Sequence, residues 1–377
     1  MRFTVVALLL LGVFATVGCT PAATDPAAAP SATPKPGLTF LGAATIPRTS
    51  DFQGTTVGGL SGISRDPRTG SYYLISDDRS ERDPARFYTA TVTVNADGDV
   101  DARLTGTKPL RRPDGSTFPS LRSGAVPPDP EGVAVDPGSG NLYWVDEGER
   151  SDVVENPSLR VATPSGAYVR ELPIPASLRI EPGTGPRRNQ ALEGVSFTPD
   201  GRQLFTAMEE PLRQDGPNPT PTAGALTRIT QYVGGRPVAQ YAYPLEPLFT
   251  EPREAGATGG ADTNGLSDLI ALGNGRFLVI ERAAVPDRFR ISVRVFLAES
   301  GRATDVLGRS SLRGAAPMTK TLLLDLDDAP VLRVDNFEGA TLGPALPDGR
   351  RTVLLVSDDN FHWALTTQIA AFALAGL

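Results

Sequence analysis

The chain has one cysteine and one histidine. A lone cysteine excludes an internal disulfide framework. With only Cys19 and His362 to offer sulfur and nitrogen donors, zinc and haem sites are not expected. Positive charge is also short, with 36 Lys and Arg against 43 Asp and Glu and a formal charge of −7. No nucleic-acid partner is therefore expected, because that binding relies on clustered basic side chains neutralising phosphates. The apolar run from Phe3 to Val17 is too short to span a bilayer. No glycine-rich phosphate loop or dinucleotide fingerprint stands between a strand and a helix.

That apolar run follows Arg2 and leads into Gly18-Cys19, the layout of a secretory signal. Thr16-Val17-Gly18-Cys19 resembles the processing site of bacterial lipoproteins, with Thr16 where Leu is usual. Lipidation of Cys19 is one reading, and an ordinary cleaved signal is the other. Residues 20–37 are mostly Ala, Pro and Thr, a composition that cannot bury apolar surface and reads as a tether. The expected organisation is a signal over 1–18, a lipidated cysteine and tether over 19–37, and one domain over 38–377. The protein would be exported and lipid-anchored to a bacterial cell membrane, or alternatively secreted or periplasmic. Its only contact with the membrane would be through that lipid, and it is expected to be a monomer.

Glycine and proline are abundant, at 39 and 35 residues, which suits many short strands and turns. The domain writes one phrase five times: a short apolar strand opening with Glu-Gly or a variant, a turn, then an apolar strand ending in carboxylates. The copies run from Leu60-Ser61-Gly62-Ile63 to Asp77-Asp78, from Pro130-Glu131-Gly132-Val133 to Asp146-Glu147, and from Leu192-Glu193-Gly194-Val195 to Glu209-Glu210. Two more run from Leu266-Ser267-Asp268-Leu269 to Glu281 and from Phe337-Glu338-Gly339-Ala340 to Asp358-Asp359. Residues 61, 131, 193, 267 and 338 hold the second position, so successive copies lie 70, 62, 74 and 71 residues apart. Such a period marks an array in which one unit cannot bury its apolar face alone.

The second interval holds four β-prone segments, 132–136, 141–147, 158–163 and 168–174, and the first, third and fourth intervals repeat the count. The last copy has three, and the segment 38–46 ahead of the first copy supplies the missing one. The fold class expected is all-β, a single propeller of five four-stranded blades closed by the N-terminal strand. Six blades remain the alternative, and a parallel β-helix fails on its shorter period.

In an antiparallel meander the start of the first strand and the end of the second share an edge. Glu131 then approaches Asp146 and Glu147, Glu193 approaches Glu209 and Glu210, Glu338 approaches Asp358 and Asp359, and Ser61 approaches Asp77 and Asp78. These acids would line one mouth of the central channel. Crowded carboxylates need cations or guanidinium groups, and an oxygen-only donor set suits calcium. An equally open reading makes the acids structural caps for backbone N–H groups of neighbouring blades. Asp268 and Ser267 break the pattern, so the fourth blade is expected to contribute least. Arg79, Arg82, Arg188, Arg213 and Arg282 adjoin the motifs and could hold an anion, with Asn189, Asn264 and Asn360 as neutral ligands. His362 follows the last motif as a candidate general acid or base. A serine site built on Ser61 lacks the Gly-x-Ser-x-Gly elbow.

Gly-Leu-Ser-Gly-Ile with Ser-Asp-Asp, Glu-Gly-Val with Asp-Glu, Asn-Gln-Ala-Leu-Glu-Gly-Val with Glu-Glu, Gly-Leu-Ser-Asp-Leu with Glu-Arg, and Asn-Phe-Glu-Gly with Ser-Asp-Asp-Asn-Phe resemble, in that order, the phytase-like family described as having esterase-like activity of phytase. The resemblance runs from about Leu38 to Leu374 and implies a propeller exported by bacteria that hydrolyses phosphoric or carboxylic esters. By extension to calcium-dependent propeller phytases, it implies metal held by Asp77, Asp78, Glu131, Asp146, Glu147, Glu193, Glu209, Glu210 and Glu338. Asp358, Asp359 and His362 would act in catalysis, and Arg79, Arg188, Arg282 and Asn360 would hold a small anionic ester. The sparse Lys and His count does not suit phytate itself. The other expectation is a non-catalytic, lipid-anchored binding or scaffold propeller engaging a cell-envelope ligand.

Overall fold

The computed structural model describes residues 35–48, 51–95, 97–249, 263–285, 290–330 and 333–377. The signal, Cys19 and nearly all of the tether lie outside these residues. Blade one comprises β2 (Leu60–Arg65), β3 (Tyr72–Ser76), β4 (Arg86–Val94) and β5 (Val100–Pro109), preceded in the chain by β1 (Gly37–Thr45). Blade two comprises β6 (Pro130–Val135), β7 (Leu142–Asp146), β10 (Ser158–Ala162) and β11 (Tyr168–Leu172), with a small ribbon of β8 (Glu149–Arg150) and β9 (Val154–Glu155) in its second loop. Blade three is β12 (Leu192–Phe197), β13 (Leu204–Met208), β14 (Ala225–Val233) and β15 (Arg236–Leu245). Blade four is β16 (Thr263–Gly273), β17 (Arg276–Val285), β18 (Arg290–Glu299) and β19 (Thr319–Asp325). Blade five is β20 (Asn336–Ala345), β21 (Arg351–Asp358) and β22 (Gln368–Ala375), with β1 as its outer strand. β1 pairs antiparallel with β22 from Gly37↔Ala375 to Thr45↔Gln368. The five-bladed propeller and its closure by the N-terminal strand are thus as the sequence predicts. Among the described residues no helix is long and apolar enough to cross a membrane.

Alternation along each strand sends neighbouring residues to opposite faces. Both faces of a blade are covered, so β3 and β7 are apolar or small at almost every position and buried throughout. Leu74 and Tyr88 of blade one pack with Val356 and Ile369 of blade five, while Tyr73, Ile75 and Phe87 pack with Val133 and Trp144 of blade two. Equivalent cores join blades two and three through Val145 and Val195, three and four through Phe205 and Phe277, and four and five through Ile280 and Phe372. The apolar burial is therefore a closed ring of five interfaces.

The glycine of the repeated phrase is explained by that closure. A Cβ on Gly132 would stand 2.2 Å from the backbone oxygen of Glu193 in the next blade, and a Cβ on Gly339 would stand 2.5 Å from that of Ser61. Inner strands approach one another backbone to backbone around the axis. Gly→Ala in an unconstrained strand is mildly stabilising. Here Gly132→Ala is expected to lower stability by about 1–3 kcal/mol or more, as overpacking does, read as a lower urea midpoint; an unchanged or raised midpoint would contradict the contact. Blade four places Asp268 at this position, and its carboxylate accepts a hydrogen bond from Ala340 N of blade five at 2.8 Å and one from its own neighbour Leu269 N at 2.8 Å. The break in the pattern is a clasp to the adjoining blade.

Candidate functional site

Strand register decides which acids meet. Leu60 pairs with Ser76, Pro130 with Asp146, Leu192 with Met208, Leu266 with Glu281 and Phe337 with Ser357. The residue that follows, within the second strand or just past its end, is Asp77, Glu147, Glu209, Arg282 or Asp358, one per blade. The facing position of each first strand is Ser61, Glu131, Glu193, Ser267 or Glu338. These two sets surround one end of the channel, over a cavity of about 490 Å³ lined from all five blades, with Asp77, Glu131, Glu193, Glu209, Arg282 and Glu338 in its wall. The opposite end of the channel holds a cavity walled by Ile63, Val133, Val135 and Ile270, with no carboxylate in its lining. Carboxylate chemistry belongs to the first mouth; the opposite cavity has Arg65 and Arg351 among its lining.

Arg282 corrects the expectation that blade four contributes least. It is the one cation among the five ring positions, and its guanidinium reaches Glu209 Oε1 at 3.2 Å and Glu338 Oε1 at 3.1 Å. Burial works against its charge, but Glu338, Glu209, Glu193 and Glu210 prevail and hold its pKa above the ordinary arginine value. Arg79 lies 3.4 Å from Asp129 and 2.8 Å from Glu149. Asn360 and His362 also line the cavity, as does Asn189.

Burial, reinforced by neighbouring like charges, pushes Asp77, Glu131, Glu147, Glu193 and Asp358 well above the usual carboxylate range. Burial raises Glu209 to about 7 although Arg282 pulls it down. Asp129 rises to about 7 by burial, against the pull of Arg79, and Glu338 is raised by burial against Arg282. Two guanidinium groups do not balance this set, so it either takes up protons or holds cations. One carboxylate oxygen from each of Asp129, Glu131 and Glu147 lies within 4.8 Å of the others, and the same is true of Glu147, Glu193 and Glu209. Asp77 Oδ1, Glu147 Oε2 and Asp358 Oδ2 are buried without a hydrogen-bond partner. An all-oxygen set with unpartnered buried oxygens fits a hard divalent cation.

Several predicted ligands are used otherwise. Asp78 accepts hydrogen bonds from Glu81 N, Arg82 N, Asp83 N and the Arg86 guanidinium, at 2.7–3.2 Å. Asp146 accepts from Asp129 N, Gly148 N, Ser158 Oγ and Arg160. A carboxylate has about four lone-pair sites, so both are filled and neither serves the mouth. Asp359 is a positioning residue, its Oδ1 accepting from Gly59 N of blade one and from Phe361 N. Glu210 is fully buried with both oxygens unpartnered, and burial beside Glu209 raises it to about 9; it stands outside both carboxylate trios. Arg188 is 65% exposed on Glu149 and outside the lining. Asn264 binds Glu246 O and Glu281, and Arg82 stacks on Phe361. Ser61 Oγ donates to Glu131 O of blade two at 2.8 Å, an interblade tie in place of a nucleophile.

Asp129 and Asn336 line the cavity and were not among the expected residues. Each lies two positions before the repeated glutamate, at Asp129-Pro130-Glu131 and Asn336-Phe337-Glu338. That shared offset was the available signal.

The propeller with an acidic, arginine-bridged mouth defines the class. Residues 55–361 match the phytase-like family, described as esterase-like activity of phytase, and the chain belongs to that family. No curated protein matches it in sequence. Solved structures similar to it include the Dos1 propeller, with 6% identity, TM-score 0.32 and coverage of 82% of this chain and 66% of that one. The periplasmic gluconolactonase PpgL of Pseudomonas aeruginosa has 11% identity and TM-score 0.34, over 90% of this chain and 98% of that one. The α-L-arabinofuranosidase of Lactobacillus brevis has 12% identity and TM-score 0.41, over 84% and 91%.

Proposed function

We propose that the protein is a hydrolase of small anionic esters, phosphoric esters foremost, acting at the acidic mouth with a divalent cation such as calcium. The observation that carries this reading is the pair of carboxylate trios sharing Glu147, whose Oε2 has no protein partner. Asp129, Glu131, Glu147, Glu193 and Glu209 would hold the cation. When bound, it neutralises charge on the ester oxygens and lowers the pKa of water. Arg79 and Arg282 orient the anion, since guanidinium groups match phosphate and carboxylate geometry. Asp358 Oδ2 has no protein partner and, in the ionised form that a bound cation would favour, would accept a proton from the attacking water. His362 Nδ1 accepts a hydrogen bond from Ala364 N at 3.2 Å, which leaves Nε2–H to donate a hydrogen bond to the leaving oxygen while that oxygen takes its proton from solvent. In the same reading the domain works outside the cell, tethered through Cys19.

The test is turnover of p-nitrophenyl phosphate and p-nitrophenyl acetate, with calcium and with chelator, by the wild type and Glu147→Gln. Calcium-dependent phosphate release that falls at least a hundredfold in the variant is expected. Acetate turnover indifferent to chelator and to the substitution would replace this reading with a metal-free site. No turnover of either ester, with calcium only raising the melting temperature, would leave a binding propeller.

A further inference from the structure

The loop after β21 is pinned in a strained shape and leaves one large side chain in water. Asn360 and Phe361 stand consecutively at φ 44° and 49°, the left-handed region that non-glycine residues enter at a cost of about 1–3 kcal/mol each. The turn is held by Asp358 Oδ1, which accepts from Asn360 N at 2.9 Å, by Asp359 Oδ1, which accepts from Phe361 N at 2.9 Å, and by Asp359 O, which accepts from His362 N at 2.6 Å. Phe361 is clamped, with the Arg82 guanidinium 4.1 Å from its ring centroid and Gly58 and Gly59 beneath it, where a Cβ would come within 2.6 and 2.5 Å of the ring. The loop directs Asn360, His362 and Leu365 to the cavity wall. Trp363 is 80% exposed, the only aromatic among the exposed large apolar side chains of the described residues. Its ring centroid lies 5.6 Å from that of His362 at an interplanar angle of 35°.

An indole in water gains nothing from burial, and stored strain clusters where a surface must be held ready for a ligand. A pinned loop has already lost the freedom that binding would otherwise take away. The geometry points to Trp363 as a specificity-determining platform on the rim: it stacks on a ring in the alcohol part of the substrate while the anionic ester lies among the arginines and acids. The substrate class is then an ester of a ring-bearing alcohol, either aryl or the C–H face of a sugar, in preference to esters of small acyclic alcohols. The assignment rests on the reading of the cavity as an ester site.

Fluorescence tests it at equilibrium, independently of turnover. Of the two tryptophans, Trp144 is 2% exposed, so ligand-induced change in the solvent-exposed emission reports Trp363. The full chain in calcium is titrated with methyl phosphate, phenyl phosphate and glucose 1-phosphate. At least one ring-bearing phosphate is expected to quench the emission and bind about tenfold tighter than methyl phosphate, the scale of one aromatic stacking contact. Trp363→Ala should abolish that preference at unchanged melting temperature, and Trp363→Phe should retain part of it. Calorimetric titration reads binding in the two variants, which lack the fluorescent reporter. Tight binding of the phenyl ester alone, or of the sugar ester alone, identifies the ring. Equal affinity for all three overturns the platform while leaving the ester site standing. Failure of all three to bind overturns both.

Discussion

In chelator, the domain will be more stable at pH 5 than at pH 8, and calcium will erase most of the difference. The mouth carboxylates have folded pKa values raised above their unfolded values, so between the two values the folded state binds more protons than the unfolded one. Stability from such groups is fully present below the unfolded pKa, near 4, and is lost as pH rises through the folded pKa. Asp129 and Glu209, both raised to about 7, place most of that loss between pH 5 and 8, and Glu210, at about 9, extends it. Each pKa unit corresponds to about 1.4 kcal/mol per group, so several kcal/mol are at stake. Ion-paired Asp66 and Glu149, held below their usual values although burial opposes it, act in the opposite sense and weaken the fold as pH falls through their folded pKa. Calcium binds the ionised mouth and stabilises it in proportion to ligand excess over Kd. Calorimetric scans in chelator and in calcium at both pH values read the effect. A chelated protein equally stable at pH 5 and 8 would show that the acids are not forced together in the fold.

Replacing Arg282 by Met will cost about 3–5 kcal/mol at pH 8 in chelator, the scale for leaving a buried charge without its partner, and will tighten calcium binding about tenfold. Glu209 and Glu338 both lose their guanidinium. The same vacancy removes the positive charge that repels an incoming cation. Destabilisation and tighter binding in one variant is an unusual combination, which a side chain serving only as packing would not produce. Arg282→Lys should fall between, because an ammonium lacks the fork that spans two carboxylates. Urea unfolding in chelator and calorimetric titration with calcium give the two readings; unchanged affinity would remove Arg282 from the electrostatics of the site.

The period, the Glu-Gly openings and the carboxylate endings made the architecture readable, because each reports a backbone need repeated at every blade. Even the closing strand followed from counting. Facing was harder to read. Every inner strand pair carries a register shift beside the repeated motif, as between Leu60 and Gly62 or Leu192 and Gly194, and a one-residue slip turns a side chain to the other face. The paired acids therefore looked interchangeable when only one of each pair enters the ring. Counting from the glycine sorts three blades, since Asp77, Glu147 and Glu209 each stand 15 residues after Gly62, Gly132 and Gly194. Blade five defeats the count with its longer hairpin, where Asp358 follows Gly339 by 19. Arg282 was hidden differently, because a lone arginine after a strand resembles any solvated one until its two carboxylate neighbours are placed.

The pairing of β1 with β22 also sets a timetable. β1 is among the first parts of the domain to leave the ribosome, and β22 is the last strand to do so, so Leu38 must wait for Leu374. Blades one to four can form their own meanders as they emerge, but the ring stays open until synthesis of the domain is complete. Closure joins the two most distant segments of the domain, a slow step by the cost of bringing remote chain ends together. During that interval the chain is an unclosed row of blades, still loose enough to be threaded or captured.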